Sequence, residues 1–187
     1  MNRKKKLLLV AHCLLNCNAK VEGLADCAGA QSALLQLLFA RGYGIIQLPC
    51  PELTIYGLKR WGHVKEQFAT PYFRRHCRQI FQPILDQLLD YKQNGYQCNY
   101  LIGVNGSPSC GVEYTQSAPA WGGELSTCED LPNKLNILRN IPERGIFMEE
   151  IAHMLAGHKL SLRFIAIDEE DPASSIDKII KEIEEEK

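Results

Sequence analysis

A single α/β domain over residues 1–187 is the fold class that the sequence predicts, and three observations support it. Four apolar runs of strand length alternate with stretches of helical spacing along the chain. These runs lack the polar alternation of solvent-facing strands, which is typical of parallel strands buried on both faces. The composition, 45% apolar and 23% charged, suits a globular domain with a sizeable core. We therefore predict a doubly wound, Rossmann-like, mostly parallel sheet of about four strands, with helices on both faces and strand order 2-1-3-4.

The amino-terminal part of the chain predicts a strand–helix–strand unit. Residues 6–12 form an apolar run that predicts the first strand and leads into Cys13. A helix is expected to begin near Asp26, because aspartate favours helix N-caps. Residues 43–49 predict the second strand, which leads into Cys50. Parallel strands joined by a helix in this way have their carboxyl ends at the same edge of the sheet.

The remaining elements repeat this alternation. Thr70 and Pro71 predict the N-cap and first position of the longest helix, in which Pro83 is expected to cause a kink. A second long apolar run predicts the third strand, and its polar continuation contains Cys110. The later elements are, in order, a helix near residues 145–156, a strand over residues 163–167 and a helix opened by Asp171 and Pro172.

Each of the first three predicted strands is followed by a cysteine, namely Cys13, Cys50 and Cys110. In open α/β sheets ligands bind at the edge formed by the carboxyl ends of the strands, so we expect these thiols to meet there. Thiolates are soft ligands that suit iron–sulfur clusters or zinc, and the chain has no C-x-x-C pair to indicate a redox motif or a zinc ribbon. Three ligands on a [4Fe–4S] cluster would leave one iron open to a soft donor such as sulfur.

Residues beside these cysteines suit chemistry on a bound molecule. Glu52 follows Cys50 by two residues and is a candidate general base for a water molecule. Ser107 and Ser109 offer hydroxyl groups beside Cys110. The sequence thus predicts a metal-binding edge with acid/base groups next to it.

Two long connections, over residues 51–69 and 111–140, are expected to be functional loops on the same edge. Their aromatic residues could hold a planar ring between them: Tyr56, Trp61, Tyr114 and Trp121.

The other five of the eight cysteines have less obvious roles. We interpret Cys27, Cys77 and Cys98 as small buried hydrophobic residues. Cys17 or Cys128 could supply a fourth metal ligand. Disulfides are not expected, because a cytoplasmic location is predicted and the cytosol keeps thiols reduced.

The cytoplasmic prediction comes from the amino terminus and from the charge. The basic residues and short apolar run at the start lack a clear signal-peptide cleavage site, and no run is long enough for a membrane helix. A net charge of −1 gives no electrostatic reason to expect binding to nucleic acid or to an anionic membrane.

The chain resembles a known family, the thiouracil desulfidase-like proteins, in three motifs that occur in the same order. The motifs are Cys13-Leu14-Leu15, Cys50-Pro51-Glu52 and Gly106-Ser107-Pro108-Ser109-Cys110-Gly111. The resemblance covers roughly residues 6–167. Residues 16–23 differ from the Cys-Arg-Tyr-Asp-Gly type of stretch usual in the family, which indicates a divergent branch whose substrate need not be thiouracil.

This resemblance implies a set of roles for the site residues. Cys13, Cys50 and Cys110 would bind a [4Fe–4S] cluster, with Glu52 as the acid/base residue and Ser107 as its catalytic partner. The open iron would take the sulfur of a thiolated small molecule, either a thiouracil-like heterocycle or a thioamide, and water would replace that sulfur at carbon. An aerobic preparation would be expected to lose or exchange the cluster.

Two other interpretations follow from the same residues. Cys110 could be the nucleophile of a hydrolase, with His12 or His63 as its base. Alternatively, the cysteines could hold zinc or an iron–sulfur cluster for stability or sensing, without catalysis.

Overall fold

The computed structural model of the chain describes residues 3–25 and 27–185. The first strand, β1, is Lys6–Val10, and a one-turn helix, α1, covers His12–Leu15. A 3₁₀ turn follows over Cys17–Ala19. The first long helix, α2, is Ser32–Ala40, and β2 is Gly44–Gln47.

The prediction that this helix begins near residue 26 was wrong, since α2 begins at Ser32. Asp26 itself lies outside the described residues. The chain before α2 folds back on itself, so that the amide of Cys17 donates to the carbonyl of Gly29 at 2.6 Å. The amide of Gln31 likewise donates to the carbonyl of Leu14 at 2.9 Å. These backbone groups are therefore satisfied across a loop rather than along a helix.

The connection after β2 contains two short helices where a loop was expected. They are α3, Pro51–Tyr56, and α4, Lys65–Phe68. The longest helix, α5, is Pro71–Gln93, and the hydroxyl of Thr70 accepts from the amide of Phe73 at 3.2 Å, which confirms the predicted N-cap. This helix continues through Pro83. Strand β3 follows as Gln97–Gly106.

The second long connection also contains regular structure that the sequence did not reveal. Its elements are β4, Gly111–Ser117; a 3₁₀ turn, Leu125–Thr127; α6, Leu131–Asn136; and β5, Arg139–Ile141. The chain then forms α7, Ile146–Gly157; β6, Arg163–Ile167; and α8, Pro172–Glu184. The last three elements agree closely with the predicted ones.

The sheet confirms the predicted order for the four strands that were expected. Strands β2, β1, β3 and β6 lie side by side and are all parallel. The described residues form two further strands, so the sheet has six rather than about four. Because β3 is ten residues long, one of its edges pairs first with β6 and then, from Val104 onward, with β4. Strand β5 adds an antiparallel edge to β4.

The core lies between this sheet and the helices packed on it. The inner residues of β1 and β3 are fully buried, as the unbroken apolar runs predicted. Helices α5 and α7 pack together, and Phe81 meets the edge of Phe147 at a ring-centroid distance of 6.4 Å. None of the helices within residues 3–25 and 27–185 combines the length and the apolar character that crossing a membrane requires.

Candidate active site

The carboxyl edge of the sheet brings the three predicted cysteines together. Cys13 lies in α1, directly after β1, and Cys50 is the N-cap residue of α3, after β2. Cys110 lies in the turn between β3 and β4. The parallel pairing continues past the strand ends, since the amide of Ala11 donates to the carbonyl of Ile102 at 2.8 Å. Backbone hydrogen bonds of the sheet therefore hold the strand ends from which the three cysteines emerge.

All three thiols are free, and they lie close enough to influence one another's pKa. Burial raises the pKa of each thiol, that of Cys13 to about 12. The nearby Cys50 thiol further raises the pKa of Cys13 and of Cys110. Without a cation the three groups are thus neutral thiols at pH 7, which are close enough to disfavour one another's ionisation.

Two cysteines near this edge form a disulfide, Cys17 with Cys27. The expectation that no disulfide forms, and that Cys27 is a small hydrophobic residue, was therefore wrong. The folded-back loop before α2 brings the two residues to a Cα separation of 6.4 Å, which suits a disulfide. In this state Cys17 is not available as a fourth metal ligand.

The remaining free cysteines are Cys77, Cys98 and Cys128. Cys77 is buried in α5 and Cys98 is partly buried at the start of β3, and both pack with the hydrophobic core as expected. Cys128 is partly buried in the second long connection.

Glu52 is a buried carboxylate that two other segments hold in place. It lies in the first turn of α3, with Pro51 ahead of it, and only 7% of its surface is exposed. The hydroxyl of Ser109 donates to Glu52 Oε1 at 2.5 Å. On the other side, Arg60 Nε donates to Glu52 Oε2 at 3.2 Å. Both oxygens of the carboxylate are therefore oriented by charge-assisted or hydroxyl hydrogen bonds.

The loop that carries Cys110 places Ser107 one step further from Glu52. Ser107 Oγ lies 3.3 Å from Ser109 Oγ and accepts from the amide of Cys110 at 3.0 Å. A hydroxyl has one proton, and Ser109 donates its proton to Glu52, so Ser107 is the donor in the contact between the two serines. The order of donation is Ser107 to Ser109 to Glu52.

Helix α7 fixes the backbone of the same loop. The amide of Ile146 donates to the carbonyl of Pro108 at 3.0 Å, and the amide of Phe147 donates to the carbonyl of Ser109 at 2.9 Å. The free amides at the start of α7 are thus used to hold the loop. A Cβ atom on Gly145 would lie 2.5 Å from the carbonyl carbon of Ser109, so the helix start and the loop are in direct backbone contact.

Sequence reasoning missed two of these groups. Ser109 was recognised as a nearby hydroxyl, but the sequence does not indicate that it, rather than Ser107, contacts Glu52. Arg60 was only one of several residues in a long connection. Its position eight residues after Glu52 matches no motif, so no sequence signal identified it.

The described residues include no group of three or more histidine, cysteine, aspartate or glutamate side chains placed to hold a metal ion.

Comparison with known proteins agrees with the motifs. Residues 5–121 match the model of a family described as "Putative 2-thiouracil desulfurase". The chain belongs to this family. An uncharacterised protein of Methanocaldococcus jannaschii, MJ0003, is 39% identical over 108 residues, which is 58% of this chain and 69% of the relative.

A solved structure of a [4Fe–4S]-dependent thiouracil desulfidase, TudS, resembles this chain in fold. The TM-score is 0.51 and the sequence identity 17%, with 94% of this chain and 98% of that chain covered. The matched shape extends beyond the desulfurase family segment to nearly the whole chain, which confirms the α/β architecture with its mostly parallel sheet.

The segment that matches the desulfurase family contains all five candidate site residues: Cys13, Cys50, Glu52, Ser107 and Cys110. It ends within the second long connection, before β5 and α7. The part of α7 that holds the Cys110 loop is therefore contributed from outside the matched segment.

The candidate bases for a nucleophilic Cys110 are two partly buried histidines. Burial lowers the pKa of His12 and of His63. Burial also raises the pKa of the Cys110 thiol well above its usual range, whereas an activated cysteine nucleophile has a lowered pKa.

The four aromatic residues expected to hold a planar ring have different surroundings. The ring of Tyr56 contacts that of His63 in a tilted arrangement at a centroid distance of 4.7 Å, and Trp61 is 79% exposed. The hydroxyl of Tyr114 donates to Asp168 Oδ2 at 2.9 Å, and Trp121 is partly buried. The aromatic sandwich stays a prediction.

Proposed function

We propose that the protein is a cytoplasmic desulfidase that removes sulfur from a thiolated small molecule, either a thiouracil-like heterocycle or a thioamide. One observation carries the proposal. Three free thiols, of which Cys110 is buried and Cys13 and Cys50 are partly buried, converge at one sheet edge beside a buried carboxylate, which is hydrogen-bonded to the loop of the third cysteine. Membership of the desulfurase family supports the same reaction class.

The thiols suit a [4Fe–4S] cluster held by Cys13, Cys50 and Cys110. Burial outweighs the nearby charges of Lys20 and Arg60 and keeps the thiols neutral, so an iron centre would supply the further positive charge that three thiolates require. The three groups are not placed for one ion, but each cysteine ligand of a cluster binds a different iron. When bound, the cluster would supply an iron without a protein ligand, which acts as a Lewis acid on the sulfur of the substrate.

Glu52 would act as the general base for the attacking water. The overall reaction exchanges C=S for C=O without transfer of electrons. Water supplies the oxygen, and its two protons either leave with sulfur as hydrogen sulfide or are divided between hydrosulfide and solvent. A base of this kind contributes about a hundredfold to ten-thousandfold in rate. Because Arg60 and Ser109 fix the direction of the carboxylate, its remaining lone pairs face a defined position.

Ser107 would move a proton between the water and Glu52. Its own proton points to Ser109, and one of its lone pairs accepts from the amide of Cys110. The second lone pair can accept a proton from water, after which Ser107 passes its own proton to Ser109 and Ser109 passes one to Glu52. This route links the outer hydroxyl to the buried carboxylate.

The test is anaerobic reconstitution with iron and sulfide, followed by measurement of iron content, visible absorption and sulfide release from 2-thiouracil and from a thioamide. We expect about four irons per chain, with turnover. Cys110→Ala should lose both, whereas Cys98→Ala should lose neither, because Cys98 is a free cysteine at the opposite end of β3.

Three results would contradict the proposal. A stable cluster without sulfide release from either substrate class would favour a non-catalytic iron–sulfur protein. Stoichiometric zinc with no cluster would favour a structural metal site. Turnover in metal-free protein, abolished by alkylation of Cys110, would favour the cysteine-nucleophile hydrolase.

A further inference from the structure

Arg60 is a buried cation that lies outside every motif of the chain. Only 4% of its side chain is exposed. Its guanidinium makes three hydrogen bonds: Nε to Glu52 Oε2 at 3.2 Å, one terminal nitrogen to the carbonyl of Gly57 at 3.1 Å, and the other to the carbonyl of Ala19 at 2.7 Å. No hydrogen-bonding nitrogen of the group is left without a partner.

These three acceptors belong to two separate segments of the site edge. Glu52 is in α3 and Gly57 is its C-cap, so two of the bonds connect Arg60 to the helix that follows Cys50. The third reaches Ala19, in the 3₁₀ turn shortly after Cys13. A single side chain therefore connects the segment after the first cysteine with the carboxylate beside the second.

The planar guanidinium makes this connection directional. Its donors have a fixed fork geometry, so satisfying two backbone carbonyls determines where Nε points. Nε then holds Glu52 Oε2, which leaves Oε1 turned toward Ser109. A lysine has one compact charge on a flexible chain and could not satisfy the three acceptors in the same way.

We propose that Arg60 is the positioning residue for Glu52, holding the carboxylate in the orientation in which Ser109 and the attacking water can both reach it. This inference rests on the proposed desulfidase function. Arg60 does not contact substrate; it acts through Glu52, and through Ala19 it ties the orientation of Glu52 to the segment that follows Cys13.

The kinetic test compares Arg60→Ala and Arg60→Lys with wild type, after anaerobic reconstitution. We expect Arg60→Ala to keep its iron content, because Arg60 bonds to no cysteine side chain, but to lose about a hundredfold in kcat with little change in KM, as a misplaced catalytic group does. Arg60→Lys should recover only part of this loss. Arg139→Ala, on exposed β5, is the matched control and should behave as wild type.

A second readout separates positioning from a general structural role. Methylguanidinium, added at concentrations that leave wild type unchanged, should restore part of the kcat of Arg60→Ala but not of Arg60→Lys. Unaltered kcat in Arg60→Ala would overturn the inference. So would a loss of kcat that follows the loss of iron and does not respond to methylguanidinium.

Thermal unfolding of cluster-free protein tests the ion pair between Arg60 and Glu52 independently of enzymatic activity. Arg60→Ala leaves the buried carboxylate of Glu52 without its cationic partner, so adding Glu52→Gln should raise the unfolding midpoint of the Arg60→Ala variant. In wild type, Glu52→Gln should lower it. Additive midpoint shifts would overturn the pairing, whereas an inactive wild type with non-additive shifts would refute only the proposed function.

Discussion

The connections that follow Cys50 and Cys110 are both long, but they meet the site in different ways. Residues 51–64 turn into α3 at once and return Glu52 and Arg60 to the sheet edge, where both are buried. The connection after Cys110 first adds β4 to the sheet, and most of residues 119–140 is then exposed.

Among the described residues, the contacts of the second connection with the site lie near its start and just beyond its end. At its start, the hydroxyl of Thr115 donates to the carbonyl of Ser107 at 2.9 Å. Just beyond its end, Gly145 packs on Ser109. The comparison teaches that two long connections can contribute different groups to the same site edge. What distinguishes the first connection is that it contributes a buried ion pair, Glu52 with Arg60, to the site edge.

The same substitution, glutamate to glutamine, should have its largest difference in effect on kcat between the two connections. Glu52→Gln should lower kcat by about a hundredfold to ten-thousandfold while iron content stays constant, because the amide cannot act as a base. Glu129→Gln, exposed in the second connection, should leave kcat unchanged. Steady-state sulfide release measures both, and full activity in Glu52→Gln would refute the assigned role.

Replacing the serines next to Cys110 should lower kcat by a smaller factor, and the losses of the two single variants should not multiply in the double variant. Ser109→Ala removes the donor to Glu52 Oε1 and should lower kcat by about tenfold to a hundredfold, as expected for one hydrogen bond to a charged group. Ser107→Ala should cost a similar factor, and the double variant no more than the larger single loss. Ser126→Ala, in the exposed part of the second connection, is the control. Multiplying losses would show that the two serines act independently.

The glycine at the end of the second connection tests how firmly the Cys110 loop is held. Gly145→Ala should reduce the free energy of unfolding by about 1–3 kcal/mol, because the added methyl group would press on the Ser109 backbone. Gly157→Ala, at the other end of α7, has nothing within 4 Å of the new Cβ and should be neutral or slightly stabilising. Urea unfolding distinguishes the two, and equal midpoints would contradict the close packing.

A hydrogen-bonded contact between the two connections should give the smallest effect and depend on pH. Glu66 of α4 accepts from the hydroxyl of Ser117 and from the amide of Ala118, the latter at 3.1 Å. Burial favours a higher pKa for Glu66, but these hydrogen bonds outweigh it and lower the pKa. The folded state therefore binds this proton less readily than the unfolded state, so its stabilisation is full above about pH 4.5 and disappears as pH falls through the folded pKa.

Glu66→Gln should thus cost about 1 kcal/mol at pH 7, since the carboxylate is partly exposed, and the difference from wild type should shrink below pH 4.5. Thermal midpoints measured from pH 7 to pH 3 give the curve. A difference that is constant with pH would exclude the carboxylate charge as its cause.

The parts of the fold that the sequence predicted are those that depend on local signals. Apolar runs identified β1, β2, β3 and β6, and crossover rules gave their order. The Thr70 cap likewise depends on neighbouring residues alone. Strands β4 and β5 were missed because their short, mixed sequences become strands only by pairing with β3 and with each other.

The same division applies to the candidate site. The convergence of Cys13, Cys50 and Cys110 follows from topology, so the sequence could predict it. The contact of Arg60 with Glu52 depends on how a loop without periodicity folds back. The Cys17–Cys27 disulfide likewise depends on the folded-back loop before α2, part of which was predicted to be helical.

That disulfide needs oxidising conditions, whereas the three free thiols need reducing ones. A cross-link across a short loop stabilises a fold by about 3 kcal/mol, and this one encloses Ala19, which holds Arg60. Strong reductants keep the three thiols of the proposed cluster site reduced, yet they also open the cross-link and leave the loop with its hydrogen bonds alone. If the proposed cluster is present, the redox potential that best loads it is therefore not the one that makes its surroundings most rigid, and the order of reduction and reconstitution becomes a variable in preparing the protein.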